Sequence, residues 1–115
     1  MRTPTLLQEE ASPSGTTLTV RMDAQLDVFK GHFPDFPLLP GVAQIDFAVR
    51  YARQYLAVDG EFVGMDAIKF QDPILPGSTV TLTLEWAPEK EKLGFSFRSG
   101  NRAHSSGRIL LKQSA

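Results

Sequence analysis

Residues 42–57 carry the pattern that most restricts how this chain folds. Val42, Ile45, Val49, Ala52 and Leu56 recur at helical spacing, and Phe47, Ala48, Tyr51 and Tyr55 widen the apolar side. A helix apolar over so much of its circumference needs neighbours on most sides. The spacing predicts a largely buried helix over residues 42–57, ended near Asp59-Gly60. The rest of the chain reads as strands that could surround it. Over residues 16–22, Leu18, Val20 and Met22 alternate with Thr17, Thr19 and Arg21; over 79–86, Val80, Leu82, Leu84 and Trp86 alternate with threonines and Glu85. Residues 5–10, 62–70, 93–98 and 103–112 are further strand candidates, separated by turn signals at 12–15, 72–77 and 88–92. The sum is an α+β design, one long helix against an antiparallel sheet, with Val80, Leu82, Leu84 and Trp86 or their neighbours facing the helix.

Composition fits a single domain over residues 1–115. Hydrophobic residues make up 42% and charged residues 22%, enough for a core. Twelve Lys+Arg against 13 Asp+Glu leave a net charge of −1, so no global basic field for nucleic acid exists. No cysteine is present, which excludes disulfides, Cys-based zinc sites and a thiol nucleophile. With only His32 and His104, a histidine metal site would need carboxylates, and no metal is expected. No apolar run approaches the roughly 18 residues of a membrane helix, and residues 1–4 lead into no signal-peptide run, so the expected compartment is the cytoplasm.

Residues 31–41 read Gly-His-Phe-Pro-Asp-Phe-Pro-Leu-Leu-Pro-Gly. Three prolines and two glycines forbid regular structure. Phe33, Phe36, Leu38 and Leu39 nevertheless make the loop too apolar to lie free in water, so it needs a partner surface.

Gly31-His32-Phe33-Pro34, Pro37 and Pro40-Gly41-Val42 together resemble the signature of the 3-hydroxyacyl-ACP dehydratases of fatty acid synthesis, which are hotdog-fold enzymes. Lys69-Phe70 and Asp72-Pro73-Ile74-Leu75-Pro76-Gly77 look like that family's strand and Pro-Gly loop, and the resemblance is good over residues 27–87. The run Leu39-Pro40-Gly41-Val42-Ala43-Gln44-Ile45-Asp46 is most similar to small dehydratases associated with aryl-polyene biosynthesis. The common short-chain dehydratases have Glu at the position of Asp46, a related dehydratase/isomerase branch has Asp, and both tend to have Gln at the position of Arg50.

The resemblance implies catalytic roles for His32 and Asp46 and substrate binding by Gly41, Val42 and Phe33. An imidazole suits removal of the weakly acidic proton beside a thioester carbonyl, since its pKa lies near working pH. Asp46, expected on the second turn of a mostly apolar helix, would be desolvated, which favours a protonated carboxyl able to serve the departing hydroxyl. An i,i+4 ion pair with Arg50 would instead hold it charged and argue against a general-acid role. Gly41 and Val42 would offer helix-start N–H groups to the thioester carbonyl. His104, between Arg102 and Ser105, reads as a surface residue. The resemblance further implies a dehydration that needs no cofactor beyond the phosphopantetheine arm on the substrate, an acyl carrier protein as partner, and a homodimer whose shared sites draw His32 and Asp46 from opposite protomers. A heterodimer with a related hotdog subunit, in which this chain is a non-catalytic partner, and a hotdog thioesterase are the alternatives.

Overall fold

Strand alternation and one helical stripe produce a single sheet with one long helix laid on it. The computed structural model describes residues 1–30 and 37–114. Strands β1 (Thr5–Ser12) and β2 (Gly15–Arg21) precede helix α1 (Gly41–Tyr55); β3 (Glu61–Phe70), β4 (Thr79–Ala87), β5 (Lys92–Ser99) and β6 (Arg102–Lys112) follow it. Single 3-10 turns lie at Asp27–Phe29 and Pro88–Lys90. The strands pair in the order β1-β2-β4-β5-β6-β3, every pair antiparallel.

Register explains the core. Leu18 lies opposite Leu82 and Val20 opposite Val80; Leu82 and Leu84 then meet Phe97 and Phe95, and Leu93 meets Ile109. All of these are buried, and they form one cluster with Phe47, Ala48, Tyr51 and Ala52 of α1. Phe47 alone, fully buried, contributes about 1.5–3 kcal/mol by leaving water. Trp86 only packs at the margin of this core. Gly15 is required where β2 starts beside β4: a Cβ there would lie 1.8 Å from the Leu84 carbonyl oxygen. Asp23 ties β1 to the end of β2, its carboxylate accepting from the Thr5 amide at 3.0 Å, the Thr5 hydroxyl at 2.7 Å and Arg21 Nε at 2.9 Å.

Helix α1 is less enclosed than its sequence predicts. Its buried stripe is Ala43, Gln44, Phe47, Ala48, Tyr51 and Ala52. Val42, assigned above to the apolar side, is 81% exposed, in line with exposed Asp46, Arg50 and Arg53. Spacings of four, four and three residues put these on one face, and that face is open. Strand β3 also stands apart: it is a sheet edge, none of its residues is buried, and Phe62, Val63, Met65 and Phe70 are about half exposed. Among the described residues no helix is long and apolar enough to cross a membrane.

Candidate active site

The open face of α1 begins at its N-terminus. Pro40 caps the helix with extended backbone and no side-chain hydrogen bond, and the first N–H group bonded back to a helix carbonyl is that of Gln44, to Pro40 O at 3.1 Å. The preceding N–H groups, on Gly41, Val42 and Ala43, have no acceptor within the helix, and the helix dipole adds partial positive charge there. The segment leading into the helix is firmly held. Leu39, 1% exposed, donates its N–H to Ile74 O at 2.8 Å and accepts from Gln44 Nε2 at 3.1 Å. Gly41 is packed under the Phe70 ring: a Cβ on it would lie 2.6 Å from Cζ. The two residues that flank this helix start from across the fold, Phe70 and Ile74, belong to the end of β3 and the loop after it.

Asp46 lies one turn beyond Val42 on the same face, about 6 Å along the axis. The expected desolvation is not found: its side chain is 60% exposed. The carboxylate receives Arg50 Nε at 3.0 Å, the i,i+4 pair foreseen as the alternative. Arg50 is itself fixed. Its guanidinium donates to the Arg2 carbonyl at 3.2 Å and lies 4.8 Å from the centre of the Phe47 ring. Asp46 and Arg50, with Met1, Arg2, Asp27 and Val28, line an open cavity of about 360 Å³. The carboxylate thus lies open on the helix face, paired with Arg50, rather than desolvated as the sequence predicts. Tyr51, next along the buried stripe, is not a competing acid: burial, first, pushes its phenol up to about 12.

His32 and Phe33, expected as base and substrate contact, lie outside the described residues. The Gly41–Val42 helix start and Asp46 share one open face. His104 corrects the sequence reading: it is 4% exposed, not a surface residue. Phe70, Ile74 and the Arg2 carbonyl were missed as parts of this neighbourhood. Only the Lys69-Phe70 and Asp72–Gly77 signature, next to the Pro-Gly pair in type, hinted at the first two.

Comparison with known proteins places this geometry in a family. The ApeI-like family, described as ApeI dehydratase, matches residues 8–108. A solved chain of the dehydratase heterocomplex ApeI:P from Xenorhabdus doucetiae is 37% identical, superposes with a TM-score of 0.89, and is covered over 98% of its length by 96% of this chain. An uncharacterized protein from Erwinia carotovora subsp. atroseptica is 40% identical with a TM-score of 0.81, at 95% coverage of both chains. The 3-hydroxyacyl-[acyl-carrier-protein] dehydratase FabZ of Ruminiclostridium cellulolyticum is 33% identical over 84 residues, which is 66% of this chain and 59% of that relative. The chain therefore spans little more than half the length of the curated relatives it matches. The helix on its antiparallel sheet is the hotdog fold, and the chain belongs to the ApeI-like dehydratases.

Proposed function

We propose that this chain dehydrates 3-hydroxyacyl thioesters carried on an acyl carrier protein to trans-2-enoyl thioesters. The family match over residues 8–108 carries this reading. In the reaction, His32 removes a proton from C2, the thioester carbonyl takes up the developing negative charge, and the electron pair closes the C2–C3 double bond as the C3–O bond breaks. The hydroxyl leaves as water with the proton that His32 took. The first-turn N–H groups at Gly41 and Val42 stabilise the carbonyl oxygen. Asp46, exposed and paired with Arg50, is suited to accept a hydrogen bond from the 3-hydroxyl and guide it out. Phe33 contributes to the acyl-binding wall. The phosphopantetheine arm arrives with the substrate, and no further cofactor is required.

The chain works as part of a dimer. Strand β3 offers an unpaired backbone edge together with exposed Phe62, Val63, Met65 and Phe70, the combination that a second hotdog subunit would cover. A homodimer would place His32 of one copy near Asp46 of the other. The ApeI:P heterocomplex, one chain of which is so similar here, supports a second reading in which the other subunit is a related hotdog protein. The aryl-polyene setting and a cytoplasmic location complete the proposal.

Incubation with a set of 3-hydroxyacyl-pantetheine thioesters, following both the enoyl product and free thiol by mass spectrometry, tests the function. Enoyl product is expected. Free thiol would replace this reading by a thioesterase. Neither product from the chain alone, but enoyl product after adding a related hotdog subunit, would select the heterodimer.

A further inference from the structure

Buried His104 has no place in the reaction above, yet it uses both ring nitrogens. Strand β6 holds one residue more than β5 at this point: Phe97 faces Ser105 and Arg98 faces Ala103, so His104 is the bulged residue between them. Bulges re-aim side chains. Here the imidazole reaches two other segments. Nδ1 lies 2.9 Å from the Asp72 carbonyl oxygen and Nε2 lies 2.6 Å from Ser99 Oγ. A carbonyl only accepts, so Nδ1 carries the proton. In the neutral ring Nε2 then accepts from the Ser99 hydroxyl, whose other neighbour, the Thr79 carbonyl, is farther at 3.3 Å. The backbone reinforces the contact: the Gln71 N–H donates to the His104 carbonyl at 2.8 Å and the Asp72 N–H to Ala103 O at 3.3 Å.

Asp72 is the midpoint of a five-residue stretch with both ends on the start of α1. At one end the Phe70 ring covers Gly41; at the other, Ile74 O accepts the Leu39 N–H. We infer that His104 is a positioning residue: by fixing the Asp72 carbonyl it holds the β3–β4 loop, and through Phe70 and Ile74 it sets the placement of Leu39, Gly41 and the first-turn N–H groups. The inference rests on the dehydratase reading only for the consequence on turnover. A misplaced oxyanion donor costs rate, because donors must meet the position of the developing charge closely.

The test separates the two claims. His104→Phe keeps bulk and loses both bonds; His104→Asn keeps a donor in the place of Nδ1; His104→Gln reaches instead toward Ser99. Hydrogen exchange at the Leu39 amide reads loop placement without any substrate. Protection at Leu39 should fall at least tenfold in His104→Phe and His104→Gln and be largely restored in His104→Asn. With 3-hydroxyacyl-pantetheine, kcat should fall about tenfold in the first two with KM little changed, and recover in His104→Asn. Unchanged Leu39 protection in folded His104→Phe overturns the inference. If that variant does not fold, equal protection in His104→Asn and His104→Gln overturns it instead. A wild-type protein inert toward every 3-hydroxyacyl thioester would refute the dehydratase reading, and the exchange result would still decide the role of His104.

Discussion

Replacing Asp46 by Ala should separate activity from stability cleanly. The Asp46 side chain is 60% exposed, and its protein partner is Arg50, itself 43% exposed. An exposed i,i+4 pair contributes about 0.2–0.5 kcal/mol. Ala is a better helix former than Asp by up to about 0.7 kcal/mol, which offsets that loss. Arg50 also keeps its bond to the Arg2 carbonyl and its place beside the Phe47 ring. The net change in stability is about 0.5 kcal/mol or less, within about 3 °C in Tm for a domain of this size. Activity should respond quite differently. A hydrogen bond to a charged group is worth about 1.5–3 kcal/mol, so losing the proposed Asp46 bond to the leaving hydroxyl should lower kcat roughly 10- to 150-fold. Thermal melting and steady-state enoyl formation on the same preparation measure both. A loss well beyond about 10³-fold would mean that Asp46 transfers the proton itself. A change under threefold would remove it from the reaction, and a large drop in Tm would show that the pair is structural.

Two further expectations follow, one from the proposed dimer and one from the contacts of Asp23. If the proposed site is shared between protomers, mixing His32→Ala with Asp46→Ala protein, with subunit exchange verified by mass spectrometry, should restore part of the turnover, because each mixed dimer would keep one site with both groups; no recovery despite exchange would refute the shared site. The Thr5 hydroxyl and then the Arg21 guanidinium hold the Asp23 carboxyl below its ordinary range. A lowered folded-state value means the stability it adds is present above the unfolded value of about 3.9 and is lost as pH falls through the folded one. Asp23→Asn should therefore lower Tm at neutral pH and flatten the acid side of the Tm–pH curve; an unchanged curve would contradict the assigned role.

The strands were legible because one face of the sheet is buried, which forces alternation in β2 and β4. Helix α1 was legible for the same reason, but its enclosure was overestimated. Hydrophobic spacing alone admits Val42 to the buried stripe. The polar residues Asp46, Arg50 and Arg53 at four, four and three residues from it mark the exposed face, and reading them together would have placed Val42 outside and Asp46 in solvent. His104 could not be read from alternation. The bulge breaks the period at that residue, and what covers the imidazole is a loop thirty-two residues earlier in the chain. The motif residues themselves were visible by type and spacing. How the helix start is held was not, because only the folded chain brings the Phe70 ring onto Gly41 and the Ile74 carbonyl onto the Leu39 amide.

Whether the proposed dehydration uses His32 as its base is decided by the rate of enoyl formation by wild type and by His32→Ala on one 3-hydroxyacyl-pantetheine substrate, with circular dichroism to confirm that both are folded. Loss of a single acid–base group costs about 10²–10⁴-fold, and a drop in that range is the predicted result. Enoyl formation by folded His32→Ala at the wild-type rate would remove His32 from the reaction.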